Sequence, residues 1–124
     1  MKTNCVFCRI IQGVQNAKRV YEDEDALVIE DIYPRAPFHY LVLSKKHFDS
    51  LLEVDDITLL GKLLVTAKKI AEEKGFASQG FRVVINCGRG GGQSVFHLHL
   101  HVLGGRTLPW LPGDSKIEGG ERNG

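Results

Sequence analysis

Apolar positions change their spacing several times along the chain, and each change marks an element. Between Asp56 and Lys74, Ile57, Leu60, Leu63 or Leu64, Ala67 and Ile70 or Ala71 recur every three or four residues, as on an amphipathic helix. Asp55 stands where a capping side chain is expected, and Gly75 where a left-handed stop is expected. The other runs are short. Residues 5–12 read as a short helix ended by Gly13, and 18–22 and 26–30 as a hairpin about the acidic turn Asp23-Glu24-Asp25. Pro34 and Pro37 mark a loop, because proline offers no N–H to a ladder; residues 39–43 then suit a third strand. Residues 81–86 and 95–103 read as the fourth and fifth strands. Between them Gly88-Arg89-Gly90-Gly91-Gly92 allows only a tight loop.

Short consecutive strands and one long helix predict an α+β fold, a five-stranded antiparallel sheet with one long helix and a short N-terminal helix. The 124 residues, 43% hydrophobic and 25% charged, suit a single domain over residues 1–112. A polar, glycine-rich tail over 113–124 is expected to be mobile. A formal net charge of +1 excludes bulk attraction to nucleic acid or to an acidic membrane, so a negative ligand must be held by local geometry. No apolar run approaches the roughly 18 residues of a membrane span, and the first residues lack a signal-peptide core, which reads as a cytoplasmic protein. Three cysteines, with Cys5 and Cys8 at C-x-x-C spacing, favour metal or thiol chemistry over a disulfide framework.

Three of the five histidines, His97, His99 and His101, fall within five residues. On a strand, alternation sets all three on one face and turns Phe96, Leu98, Leu100 and Val102 toward the core. Two chemistries fit. The imidazoles could ligate a catalytic zinc ion. Alternatively, one could attack phosphorus while its neighbours hold phosphate oxygens. The adjoining loop favours the second, because glycines let successive backbone N–H groups converge on an anion without net positive charge. Asn86 and Ser94, at the edges of the loop, add neutral donors. Cys5 and Cys8, with His47 and His97 as further ligands, could make a closed tetrahedral zinc site; the alternative is two reduced cysteines on a small helix. Cys87 has no partner in either scheme.

The run His97-Leu98-His99-Leu100-His101-Val102-Leu103 resembles the signature of the histidine triad family. Asp31-Ile32, Pro34-Arg35-Ala36-Pro37-Phe38-His39, Lys45-Lys46-His47 and Gly91-Gly92-Gln93-Ser94-Val95-Phe96 are similar to its other motifs. Gly104-Gly105-Arg106 and Pro109-Trp110-Leu111-Pro112-Gly113 look like the Hint branch, the purine nucleoside phosphoramidase-like members.

The resemblance implies that His99 attacks the α-phosphorus of a nucleotide derivative, forming a nucleotidyl-histidine that water hydrolyses. It implies phosphate binding by His101, Asn86, Ser94 and the backbone at Gly92 and Gln93, with Ser94 also near the leaving group. It implies orientation of His99 by His39 and His97, ribose binding by Asp31, and a base pocket walled by Phe7, Ile10, Ile29 and Ile32. It further implies a homodimer acting on purine nucleotides with no catalytic cofactor, and structural zinc on Cys5, Cys8, His47 and His97. Cys87 departs from the acidic residue often found there in the Hint branch. Dinucleoside polyphosphate hydrolysis, or nucleotide-dependent regulation with incidental turnover, are the alternative functions.

Overall fold

The structure, a computed structural model, describes residue 2 and residues 4–110. Five strands, β1 (Arg19–Glu22), β2 (Ala26–Glu30), β3 (Phe38–Ser44), β4 (Phe81–Val84) and β5 (His99–Gly104), join in the antiparallel order β1-β2-β3-β5-β4. Two α-helices accompany them, α1 (Val6–Gln12) and α2 (Ile57–Glu73). The expected α+β architecture is the one observed. The tail expected over 113–124, with Leu111 and Pro112, lies outside the described residues. Among the described residues no helix is long and apolar enough to cross a membrane.

Period-two alternation divides the sheet into two apolar faces. Ala26, Val28, Tyr40, Val42, Leu100 and Val102 form one, and α2 covers it with Leu63, Ala67, Ile70 and Ala71. Leu27, Ile29, Leu41 and Leu43 form the other, under Phe7 and Ile10 of α1. With only seven residues, α1 spans about 10 Å and leaves part of its face uncovered. Together with Leu103, Arg82 and Val84, that face carries His39, His99 and His101. Their placement follows from the β3–β5 register, which pairs His39 with Leu103, Leu41 with His101 and Leu43 with His99.

Three local expectations need correction. Asp56, not Asp55, caps α2, accepting the Leu59 N–H at 3.1 Å; it immediately precedes the first helical residue, so its carboxylate reaches the first turn. Gly75 does take the left-handed conformation, at φ +84°. The strand expected over 95–103 begins only at His99. The His97 N–H turns back to the Val95 carbonyl (2.9 Å), and the Leu98 N–H goes to the Phe48 carbonyl (2.7 Å). That tight turn breaks the alternation, so Phe96 is exposed while Leu98, Leu100 and Val102 are buried as expected. The fourth strand likewise ends at Val84, short of Asn86.

Phe76 closes the end of the α2-side core. It stacks on Phe38 (4.6 Å between ring centroids) and Tyr40 (6.2 Å). A Cβ on Gly104 would lie 2.3 Å from Phe76 Cδ2, so β5 passes this ring only because residue 104 has no side chain. Gly104→Ala should therefore lower stability by about 1–3 kcal/mol, the ordinary range for overpacking. Urea titration of G104A measures it, and G104A/F76L should recover part of the loss.

Candidate active site and a thiol–imidazole cluster

Among the described residues the three signature histidines do not form one metal-type cluster. Each ring is fixed by a different partner. His99, buried on β5, donates Nδ1–H to the His97 carbonyl at 2.6 Å. A neutral imidazole has one proton, so Nε2 of His99 keeps its lone pair. The Phe7 ring stands edge-on to His99 at 5.0 Å. Burial lowers the pKa of His99, against its bond to the His97 carbonyl and the charge of Asp31. A neutral imidazole at pH 7 results.

His101 points its Nδ1 at His39 Nε2, 2.9 Å away, and Asp31 Oδ2 lies 3.3 Å from the same His39 nitrogen. Burial pushes His101 down to about 4, helped by repulsion from His99 and His39; burial lowers His39 as well, against Asp31. Asp31 also accepts the Tyr33 N–H at 2.8 Å, which fixes the carboxylate. His39 therefore contacts His101 and not the His99 ring it was expected to orient. His97 orients His99 through its main-chain carbonyl, because both of its ring nitrogens are occupied elsewhere.

Those nitrogens belong to a second cluster. Ligand-type atoms of Cys5, Cys8, His47 and His97 all lie within 4.8 Å of one another. His97 Nδ1 is 3.3 Å from Cys5 Sγ and 3.1 Å from His47 Nδ1, and Cys8 Sγ is 3.2 Å from His47 Nδ1. The opposite nitrogens are bound outward, His97 Nε2 to the Ser44 carbonyl (2.6 Å) and His47 Nε2 to Asp49 Oδ1 (2.7 Å). Outward N–H bonds leave both Nδ1 lone pairs facing two sulfurs, a donor set of two sulfurs and two nitrogens that fits zinc. The C-x-x-C spacing works because Cys5 caps α1 and Cys8 lies in its first turn, with Cys5 Sγ accepting the Cys8 N–H at 3.3 Å. Asp49 belongs to none of the sequence motifs, and its spacing two residues after His47 is the one signal that marks it.

The glycine loop departs from expectation. The N–H groups of Gly91, Gly92 and Gln93 do not converge outward; they bond back to the carbonyls of Gly88, Arg89 and Gly88. Gly92 permits this closure with φ +84°. Asn86 commits one amide hydrogen to the Gly91 carbonyl at 2.7 Å. Gln93 is buried, its side chain accepting from Gly88 N–H (2.7 Å) and donating to the Asp49 (2.6 Å) and Val95 carbonyls. The loop is a self-braced rim. Ser94 stands on it exposed, with neither its hydroxyl nor its N–H bonded among the described residues. Of the expected base-pocket residues, Ile10 and Ile29 are packed in the α1-side core, Phe7 lies between that core and His99, and Ile32 is exposed.

Comparison with known proteins agrees with this geometry. Residues 4–109 match the family model described as scavenger mRNA decapping enzyme C-terminal binding. An uncharacterized HIT-like protein of Synechococcus elongatus is 46% identical over 115 residues, 91% of this chain and all of its own length. The crystal structure of a HIT family hydrolase from Legionella pneumophila superposes with a TM-score of 0.86 at 46% identity, covering 89% of this chain and 100% of that one. A zinc-bound histidine triad family protein from Mycobacterium smegmatis gives a TM-score of 0.72 at 37% identity, covering 90% of this chain and 78% of that one. The chain belongs to the histidine triad (HIT) family.

The depressed pKa of His101 makes a pH prediction. Between its ordinary value of 6.5 and about 4, the unfolded chain binds a proton that folded His101 does not, so this group lowers stability as pH falls through that window. A ring-proton NMR titration should place the His101 midpoint near 4. The loss of urea resistance between pH 7 and pH 5 should be smaller in His101→Gln.

Proposed function

We propose that this protein hydrolyses nucleoside 5′-phosphoramidates or related nucleotidyl compounds, purine ones preferred, as a Hint-branch member of its family. The carrying observation is the bare Nε2 of His99, with Nδ1–H tied to the His97 carbonyl. In the reaction that nitrogen attacks the α-phosphorus, and the bond from phosphorus to the leaving amine breaks as the amine takes up a proton. Water then attacks the phosphorus and gives up a proton while the P–Nε2 bond breaks, its electron pair returning to Nε2; this releases the nucleoside monophosphate and restores free His99. His101, Ser94 and the second amide hydrogen of Asn86 serve as donors to the phosphoryl oxygens. Asp31 accepts ribose hydroxyls, and Ile32 with Phe7 bounds the base. Ile10 and Ile29 act through the packing that supports Phe7.

Incubation with adenosine 5′-phosphoramidate, alkaline quench and peptide mapping should place the adenylyl group on His99. His99→Ala should lower turnover by on the order of a thousand-fold or more while adenosine monophosphate still binds. Retained turnover in that variant would overturn the mechanism. Faster cleavage of dinucleoside polyphosphates in the same assay would move the protein to the other branch.

We further propose that Cys5, Cys8, His47 and His97 hold one structural zinc ion, which would tie the α1 N-terminus to the segments around residues 47 and 97. The outward bonds of both histidines support this reading. Metal analysis should find about one zinc per chain, lost in Cys8→Ser together with several degrees of melting temperature. The exposed Ile57, Leu64 and Val65 on α2 suit contact with a second copy of the chain. Light scattering should give twice the 13.8 kDa chain mass.

A further inference from the structure

We propose that the loop from Pro34 to Pro37, held by Arg106, fixes the proton of His101 on Nε2, so that Arg35 and Arg106 are positioning residues for this imidazole. Only what that proton does rests on the function proposed above; where it sits does not.

A chain of hydrogen bonds carries the argument. Arg106 Nη2 donates to the Arg35 carbonyl at 3.0 Å, and the Arg35 N–H donates to His39 Nδ1 at 3.1 Å. A nitrogen that accepts from an amide is bare, so the single proton of neutral His39 sits on Nε2. His39 Nε2 lies 2.9 Å from His101 Nδ1, a gap that holds one proton, with Asp31 Oδ2 as its other acceptor at 3.3 Å. His101 Nδ1 is therefore bare, and its proton is on Nε2. Protonating His39 on Nδ1 instead would set an N–H against the Arg35 N–H.

The approach of the two segments is built into the chain. Gly105 has φ +96°, and a Cβ there would lie 2.8 Å from Pro37 Cβ and from Phe38 Cδ2. Its missing side chain lets the turn after β5 press on the proline loop and brings Arg106 within reach of the Arg35 carbonyl. The same logic separates this cluster from the thiol one. Asp31, His39 and His101 also have ligand-type atoms within 4.8 Å of one another, yet the His39 nitrogen facing the others carries its proton and has no lone pair for a cation. His47 and His97 are wired oppositely.

The consequence is a pair of neighbouring rings, 5.1 Å apart between centroids, protonated in opposite senses. His99 presents a lone pair from Nε2, and His101 presents an N–H from the same ring position. A neutral site that attacks phosphorus needs one of each.

Long-range proton–nitrogen correlation on ring-labelled protein, at pH 7 without substrate, reads the tautomers directly. The expected patterns are Nε2–H for His39 and His101 and Nδ1–H for His99. His39→Leu and Arg106→Ala should each shift His101 to an averaged pattern, and His39→Gln, which retains an Nε2–H at that place, should keep it fixed. In Arg106→Ala, kcat should fall about tenfold with little change in KM, the lower end of the loss found when a group that orients a metal-bound imidazole is removed. An Nδ1–H or averaged His101 in the unaltered protein overturns the proposal. So does a His101 pattern in R106A identical to the parent's. The tautomers are read without turnover, so failure of phosphoramidate cleavage would leave this assignment standing, and the reverse also holds.

Discussion

The ladder between β3 and β5 is the constraint on which the rest of the molecule depends. Its antiparallel register fixes which side chains face α2 and which share the half-covered face with α1. A slip of one residue would turn His99 and His101 into the α2 core and bring Leu100 and Val102 out. The apolar packing of α2 thus guards the chemistry on the opposite side of the sheet.

Within that frame, five imidazoles of the same intrinsic chemistry acquire distinct roles from the group that engages one ring nitrogen. A carbonyl on Nδ1 leaves His99 with a lone pair at Nε2. A carbonyl and a carboxylate on Nε2 turn the Nδ1 atoms of His97 and His47 toward two thiols. A main-chain amide on Nδ1 gives His39 an outward proton. Burial, which lowers His97, His99, His101 and His39 alike, keeps these assignments in the neutral form where one proton per ring decides everything.

Much of this was legible in the sequence because it rests on local spacing. The 3.6-residue rhythm of α2, the alternation of Leu98, Leu100 and Val102 with histidines, and the C-x-x-C pair at a helix start are all short-range patterns. What escaped was long-range or depended on backbone detail. The start of β5 is hidden because a three-residue turn at Val95–His97 leaves no compositional mark. The closed form of the glycine loop is not legible, since glycine content reveals freedom but not the direction in which N–H groups turn. The His39–His101 pairing and the Arg106–Arg35 contact join residues 62 and 71 positions apart, and only the sheet register brings them together.

Asp49 gives the arrangement one more property. Its carboxylate holds the His47 ring and its carbonyl holds the buried Gln93 amide that braces the glycine rim. Two regions with no residue in common therefore hang from a single residue. Any movement of Asp49 would pull on the sulfur-facing imidazole and on the rim carrying Ser94 together.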